Sequence, residues 1–165
     1  MDVFLLRHGV AENGRPGFDD SARELTSEGR KRTREMMKLA RALGLAPDYV
    51  LASPYVRAVQ TAEVAAAALG YEAELVRTPA LTPDSQPERV WDEVRLYRGA
   101  AQLLLVGHEP LLSMLSAHLL NAPALLVDFK KGALMRIEID AAASAPRGVL
   151  RWFLPSKLAS VQSGQ

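Results

Sequence analysis

The chain has 165 residues and a formal net charge of +1, and it contains no cysteine, which excludes disulfides, thiolate catalysis and thiolate metal sites. Its near-zero charge gives no reason to expect nucleic acid or membrane binding, and no apolar run approaches the roughly 20 residues that span a bilayer. Apolar residues make up 48% of the chain, enough for a core of its own. We therefore expect one cytoplasmic domain over residues 1–155 and a flexible tail over 156–165.

The predicted elements alternate between strands and helices. Strands are recognised as short, continuous apolar runs, and helices by apolar side chains every three to four residues. Thr26 or Ser27 is a candidate cap for the first helix, and Gly44 and Gly70 are candidate terminators. In chain order we predict a strand at 3–6, a helix at 26–43, a strand at 49–52, a helix at 53–70, a strand at 74–77, a loop at 78–87, a helix at 87–97, a strand at 102–106 and a helix at 110–119.

The last part of the chain has a different pattern. Residues 133–139 and 149–154 read as two strands that would pair antiparallel at a sheet edge. The alternation before them indicates a mostly parallel sheet between two layers of helices. We therefore predict an α/β protein, a three-layer α/β/α sandwich with an antiparallel edge. The chain leaves no room for a lid subdomain over a binding site.

Three segments with chemically useful side chains directly follow predicted buried strands. They are Arg7-His8-Gly9, Ser53-Pro54-Tyr55-Val56-Arg57 and Gly107-His108-Glu109-Pro110. In α/β sheets the ligand crevice lies at the carboxyl ends of the strands, where helix N-termini favour anions. Taken alone, a loop histidine or an arginine at a strand end is a common surface feature. Their shared place at three strand ends indicates an anion site.

Arg57 is the least ordinary of these residues. It falls in the first turn of its predicted helix, where the helix dipole disfavours a cation by up to about 1 kcal/mol. An anion bound between the guanidinium and the helix end would explain the placement.

These motifs resemble a known family. The segments Leu6-Arg7-His8-Gly9, Ala52-Ser53-Pro54-Tyr55-Val56-Arg57-Ala58-Val59-Gln60-Thr61-Ala62 and Val106-Gly107-His108-Glu109-Pro110 are similar to those of the histidine phosphatase superfamily, which includes phosphoglycerate mutases. The resemblance covers nearly the whole chain in the expected order. The short chain and the segment Arg23–Gly29 look most like the bacterial phosphohistidine phosphatases of that superfamily. The resemblance implies that His8 is a nucleophile that becomes phosphorylated, with Arg7, Arg57 and His108 around the phosphoryl group.

The chemistry of these side chains suits such roles. Arginine offers a planar fork that matches phosphate oxygens, and His8 must attack as a neutral imidazole, a form that nearby positive charge favours. We expect a backbone carbonyl, from Gly9 or a neighbour, to fix the tautomer of His8. Gly9 allows a tight turn beside the phosphate. Ser53 caps its helix, donates to the phosphate, or does both, and we favour capping. Glu109 is also placed in the substrate-binding set.

The general acid is the weak point of the resemblance. Many relatives carry a glutamate acid in an inserted region after the arginine helix, and this sequence has no persuasive counterpart. Asp20, in the loop after the nucleophile, and Glu109 are the candidates, although either could be an ordinary solvated carboxylate. A protonated imidazole leaves phosphorus readily, whereas an alkoxide needs a proton. The missing acid therefore favours phosphohistidine as the substrate.

The sequence thus leads to a hypothesis with two alternatives. The leading one is a cofactor-free, metal-independent phosphatase that acts on a phosphohistidine-bearing signalling or phosphotransfer protein, with a monomer as the favoured state. Two arginines beside the histidines disfavour a divalent cation there. The alternatives are a phosphomonoesterase or mutase that acts on small molecules and a phosphoprotein-binding module without activity. The basic helix at 28–43 is either a solvated face or a docking surface for an acidic partner.

Overall fold

The computed structural model describes residues 1–158, in which six strands and four helices follow one another. Short 3-10 turns lie at Asp20–Ala22 and Pro79–Leu81. The elements are β1 (Asp2–Arg7), α1 (Ser27–Ala42), β2 (Tyr49–Ala52), α2 (Val56–Leu69), β3 (Val76–Arg77), α3 (Pro87–Leu96), β4 (Gln102–Gly107), α4 (Leu111–Leu119), β5 (Leu134–Glu138) and β6 (Val149–Leu154).

The six strands form one sheet in the order β3-β2-β4-β1-β5-β6. β1 lies in its interior, parallel to β4 with Asp2 opposite Gln102, and antiparallel to β5 with Asp2 opposite Glu138. β2 runs parallel to both β3 and β4, whereas β6 pairs antiparallel with β5 at the edge. The predicted mostly parallel sheet with an antiparallel edge is confirmed.

Helices cover both faces of this sheet. Side chains alternate across a strand, so Val3 and Leu5 of β1 enter one core cluster and Phe4 and Leu6 the other. The first cluster packs against α3 and α4, and the second against α1 and α2. The predicted three-layer architecture is therefore confirmed.

The helix ends follow their sequence signals in most places. The Thr26 hydroxyl accepts a hydrogen bond from the Gly29 amide at 2.9 Å and caps α1. Gly44 and Gly70 have φ angles of +92° and +71°, which glycine adopts without strain and which end helices. Both predicted terminators are confirmed.

The predicted helix cap at Ser53 is wrong. α2 begins at Val56, its N-cap is Tyr55, and no side chain caps it. The reason is that Ser53 still belongs to the sheet, since its amide donates to the Val106 carbonyl of β4 at 3.0 Å. The chain therefore turns into the helix two residues later, and the Ser53 hydroxyl remains buried.

The remaining predictions concern membrane spans and the ends of the domain. Within residues 1–158 no helix is long and apolar enough to cross a membrane. The predicted tail at 156–165 lies mostly outside the described residues. The boundary of a single domain at residue 155 stays a prediction.

Candidate active site

The sheet topology gathers the three motifs at one edge. β1, β4 and β2 are neighbours, and His8, His108 and Ser53 directly follow their carboxyl ends. The backbone pairing extends one residue beyond β1, because the His8 amide donates to the Gly107 carbonyl at 3.0 Å. The two imidazole rings consequently lie with their centroids 5.0 Å apart.

His8 is held in one tautomer by the chain itself. Its Nδ1 lies 2.7 Å from the carbonyl oxygen of Gly9. A carbonyl only accepts hydrogen bonds, so Nδ1 carries the proton and Nε2 keeps a free electron pair. That pair accepts a hydrogen bond from Nε of Arg57 at 3.3 Å. Nε2 is therefore the nitrogen able to act as a nucleophile.

The surroundings also keep His8 uncharged. Burial is the main cause that lowers its pKa, to about 3. The positive charges of Arg57, Arg7 and Lys131 lower this pKa further, and the Gly9 carbonyl opposes them. His8 is consequently a neutral imidazole at physiological pH, as a nucleophile must be.

Arg57 links His8 to the loop between β1 and α1. Its guanidinium is buried, and Nη1 donates to the backbone oxygen of Asp20 at 2.7 Å. Nη2 donates to the Asp20 carboxylate at 2.9 Å, while the ring of Tyr55 lies 5.0 Å from the guanidinium carbon. Arg57 thus touches Nε2 of His8 at one end and Asp20 at the other.

Asp20 is an ionised counter-ion in this arrangement. Partial burial raises its pKa, but hydrogen bonds from Arg23 and Arg57 outweigh that effect and leave the pKa below its usual value. Nε of Arg23 donates to the carboxylate at 2.8 Å. A carboxylate that already lacks its proton at neutral pH is poorly suited to be a general acid.

Arg7 is held by the loop that precedes β5. Its Nη1 donates to the backbone oxygen of Phe129 at 2.7 Å, and its buried Nε has no hydrogen-bond partner within residues 1–158. The Gly132 amide lies 3.1 Å from the backbone oxygens of both Arg7 and His8. The loop at 129–132 therefore fixes the end of β1, and Arg7 keeps a donor for a ligand.

His108 leaves one ring nitrogen open as well. Its Nε2 shares a hydrogen bond of 2.8 Å with the Ser53 hydroxyl, whereas Nδ1 is buried and has no partner in the described chain. Burial, followed by the nearby His8 and Arg57, lowers the pKa of His108 to about 2. The protein's own groups thus keep this ring neutral.

The Glu109 carboxylate accepts hydrogen bonds from the first turn of α4. The donors are the Ser113 amide, at 3.0 Å, and the Ser113 hydroxyl. The negative charge of Glu109 also partly offsets the lowering of the Arg7 pKa that burial causes. Both contacts occupy the carboxylate locally, which favours a positioning role over proton donation.

The backbone after His8 passes very close to α1. A Cβ on Gly9 would lie 2.9 Å from the Thr33 hydroxyl and 3.1 Å from the Gly29 oxygen. The Gly9 amide donates to the Thr61 hydroxyl at 3.0 Å. Gly9 is therefore required chiefly by this close approach to the helix.

Sequence reasoning missed two residues near the site. Thr61 joins the backbones of Gly9 and Arg57, since it accepts from the Gly9 amide and donates to the Arg57 oxygen at 2.6 Å. Its spacing of four residues from Arg57 was a usable signal, because such residues share a helix face. Lys131 adds positive charge near His8 and Arg7, and only the folded loop brings it there.

A cavity of about 690 Å³ lies along the loop between β1 and α1. Asp20 and Arg23 belong to its lining together with the exposed Phe18. Among residues 1–158 no group of three or more His, Asp or Glu side chains is placed to hold a metal ion. The site thus offers arginine and imidazole donors for an anion beside an open cavity.

Comparisons with known proteins agree with this geometry. The phosphohistidine phosphatase SixA of Escherichia coli K12 is 32% identical over 121 residues, which cover 72% of this chain and 74% of SixA. A structure of the protein histidine phosphatase SixA complexed with tungstate superimposes with a TM-score of 0.86 at 28% identity, over 96% of this chain and 99% of that one.

A second solved structure extends the likeness of the fold. The alpha-ribazole phosphatase of Shigella flexneri has a TM-score of 0.71 at 21% identity, over 94% of this chain and 97% of that one. A family profile described as the histidine phosphatase superfamily (branch 1) matches residues 3–82, which include His8 and Arg57. On these similarities, the chain belongs to the histidine phosphatase superfamily.

Proposed function

We propose that this protein hydrolyses phosphohistidine on a protein substrate through a covalent phosphoryl intermediate on His8. The observation that carries the proposal is the state of His8, a neutral imidazole whose free Nε2 electron pair lies beside Arg57. Membership of the superfamily supports phosphatase activity. The protein substrate is the finer part of the proposal.

The reaction proceeds in two steps at this nitrogen. In the first, the Nε2 pair of His8 forms a bond to phosphorus, and the bond from phosphorus to the substrate imidazole breaks with its electrons returning to that ring. Arg57, Arg7 and His108 face the negative oxygens of the phosphoryl group and stabilise them. In the second step a water oxygen attacks phosphorus, His8 recovers its electron pair, and phosphate leaves while solvent takes the surplus proton.

The choice of a phosphohistidine substrate is supported by the state of the carboxylates. Asp20 is ionised and paired with Arg57 and Arg23, and Glu109 is engaged by Ser113. Neither is a ready source of the proton that an alkoxide leaving group needs. A phosphohistidine ring that takes a proton from solvent on its other nitrogen leaves as neutral imidazole and needs no acid from the enzyme. The SixA relatives are phosphohistidine phosphatases by name.

Phosphate monoesters of small molecules are the second candidate class of substrate. The 690 Å³ cavity beside Asp20 is large enough for a small ligand, and the similar fold of an alpha-ribazole phosphatase hosts such chemistry. A phosphoprotein-binding module without activity is disfavoured, because binding alone would not need a histidine held neutral with its lone pair free.

A substrate panel tests the proposal directly. We would measure kcat/KM for a histidine-phosphorylated protein, p-nitrophenyl phosphate, a phosphoserine peptide and 3-phosphoglycerate, each also with His8→Asn as the inactive control. We expect the order phosphohistidine, then aryl phosphate, with both alkyl phosphates far behind. An alkyl phosphate as the best substrate would refute the phosphohistidine proposal and require a general acid.

Three related expectations stay predictions. They are the cytoplasmic location, the monomeric state and the absence of a metal requirement. The last is supported by charge, since Arg7 and Arg57 both lower the pKa of His8 and His108, a positive environment that disfavours a divalent cation.

A further inference from the structure

Asp20 is fixed in the site more firmly than an ordinary loop residue. Its backbone oxygen and its carboxylate both accept hydrogen bonds from Arg57, at 2.7 and 2.9 Å. Arg23 binds the other carboxylate oxygen at 2.8 Å. Asp19 begins the 3-10 turn that holds Asp20, through a hydrogen bond of 2.9 Å from the Ser21 amide. The negative charge of Asp20 therefore has a defined place relative to the nucleophile.

In-line attack by His8 would put that charge on the side of the leaving group. The guanidinium of Arg57 contacts Nε2 of His8 with its Nε and contacts Asp20 with its two outer nitrogens. Attacking and leaving atoms stand roughly in line across phosphorus, so the leaving group stands away from His8, toward the end of Arg57 that holds Asp20. The Asp20 side chain is 60% exposed and thus accessible to a substrate. Its charge also reaches the pocket, where it raises the pKa of His108.

We infer that Asp20 is a specificity-determining residue that selects the leaving group by its charge. Its carboxylate attracts the protonated imidazole ring of a phosphohistidine and repels an alkoxide or phenolate that gains negative charge as it departs. The inference rests on the proposed function and deepens it, because it names the group that separates phosphohistidine from phosphate esters.

The charges change in opposite directions in the two reactions. In phosphohistidine the ring is positive before the phosphorus–nitrogen bond breaks and leaves as neutral imidazole, its second nitrogen keeping its proton. Asp20 favours this protonated, reactive form. In a phosphate ester the bond breaks with both electrons on oxygen, and negative charge appears near a carboxylate. No proton passes through Asp20 in either case, which distinguishes this role from that of a general acid.

The test compares Asp20→Asn with a matched control, Asp19→Asn. Both variants remove one carboxylate from the same turn, but Asp19 bonds to Ser21 and not to Arg57. For each we would measure kcat/KM with a histidine-phosphorylated peptide and with p-nitrophenyl phosphate. We expect the ratio of kcat/KM for the phosphohistidine peptide to kcat/KM for p-nitrophenyl phosphate to fall about tenfold in Asp20→Asn. This is the effect of one unit charge several ångströms away. The ratio should change less than twofold in Asp19→Asn and be mostly restored in Asp20→Glu.

A pH profile gives a readout that a merely structural role would not move. Arg23 and Arg57 face Asp20, and Asp19 lies beside it. Removing the negative charge of Asp20 lowers the pKa of the bound phosphohistidine ring. The alkaline limb of turnover should therefore shift to lower pH in Asp20→Asn with the phosphohistidine peptide, and stay in place with the aryl phosphate.

Each outcome decides between the roles. An unchanged ratio, or an equal change in Asp19→Asn, overturns the inference. A larger loss with the aryl phosphate than with the phosphohistidine peptide would show that the carboxylate does not disfavour a departing oxygen anion, and it overturns the inference too. Failure of the wild-type protein to cleave phosphohistidine refutes the proposed function instead, and this result appears before any variant is measured.

Discussion

Nε of Arg57 donates a hydrogen bond to Nε2 of His8 over 3.3 Å, so a buried guanidinium already touches the nitrogen that is expected to attack. A protonated His8 could not accept this bond. The same guanidinium that would bind the phosphoryl group is therefore bonded to His8 only while His8 is neutral, the form that is able to attack. The following predictions test the parts of this arrangement separately.

We expect His8→Ala to abolish turnover, because it removes the imidazole electron pair on Nε2 that the proposed mechanism uses for attack on phosphorus. Rapid-quench labelling of the wild type should trap phosphate on a protein histidine, a bond that is labile in acid and stable in base. His118→Ala is the control, since His118 lies beside Glu88, 3.7 Å away, outside the site. Label recovered on serine or aspartate would contradict the mechanism.

Arg57→Ala and Arg7→Ala should each lower kcat/KM by roughly two to three orders of magnitude, which is about 3 to 4 kcal/mol for one preorganised donor. Arg57→Lys should recover only a small part, because a point charge cannot reach both the phosphoryl oxygens and Asp20. Arg32→Lys, which alters an exposed pair with Glu28, is the control and should be fully active. Wild-type activity in Arg57→Lys would show that the planar fork is not required.

The two buried histidines should make stability sensitive to mild acid. Burial lowers the pKa of His8 to about 3 and that of His108 to about 2, whereas both titrate near 6.5 when unfolded. Below pH 6.5 the unfolded chain therefore binds more protons, and stability falls as the pH falls. Between pH 7 and pH 5 each histidine should cost about 2 kcal/mol.

Urea unfolding at several pH values measures this effect. The slope of unfolding free energy against pH should be shallower by about one proton in His8→Asn and in His108→Asn, and by about two protons in the double variant. A wild-type slope in the double variant would show that these histidines are not buried in neutral form.

Gly29→Ala should destabilise the protein severely. A Cβ there would lie 2.1 Å from the backbone oxygen of Val10, and the loop after His8 would have to move away from α1. We expect a loss of about 3 kcal/mol in unfolding free energy. Gly99→Ala meets no atom within 4 Å and should be nearly neutral. Equal stability of the two variants would contradict the close approach.

Chelation should leave activity unchanged, and tungstate should inhibit competitively with the phosphorylated substrate. The physical reason is that Nε of Arg7 and Nδ1 of His108 have no hydrogen-bond partner within residues 1–158, so an oxyanion can contact both. Arg7→Ala should weaken tungstate inhibition, whereas Arg151→Ala, at the exposed pair with Glu138, should not. Activity lost on chelation and restored by one particular metal would refute the metal-independent mechanism.

The positions of His8, Arg57 and His108 could be predicted because each follows an apolar run that is unmistakable in the sequence. Parallel strands bring their carboxyl ends to one edge, so residues far apart in the chain had to meet there. The neutral state of His8 was expected from nearby positive charge, but burial proves to be the larger cause of its lowered pKa. The roles of these residues in catalysis stay predictions for the experiments above.

Other parts of the site depend on contacts that no local pattern encodes. The loop between β1 and α1 has no periodicity, and the place of Asp20 is set by Arg57, 37 residues later. Ser53 looked like a helix cap because serine followed by proline often is one. It continues the sheet instead, since a hydrogen bond to β4 competes with helix initiation.

The interior position of β1 has a consequence for folding during synthesis. β1 pairs with β4, which is made roughly 100 residues later, and with β5, which is made later still. While the chain is being synthesised, the apolar run Val3–Leu6 leaves the ribosome with neither neighbour available, and such strands are prone to aggregate. Arg7 and His8 consequently reach their folded positions only after β5 has emerged. A nascent chain interrupted before that point should need a chaperone and should carry no activity.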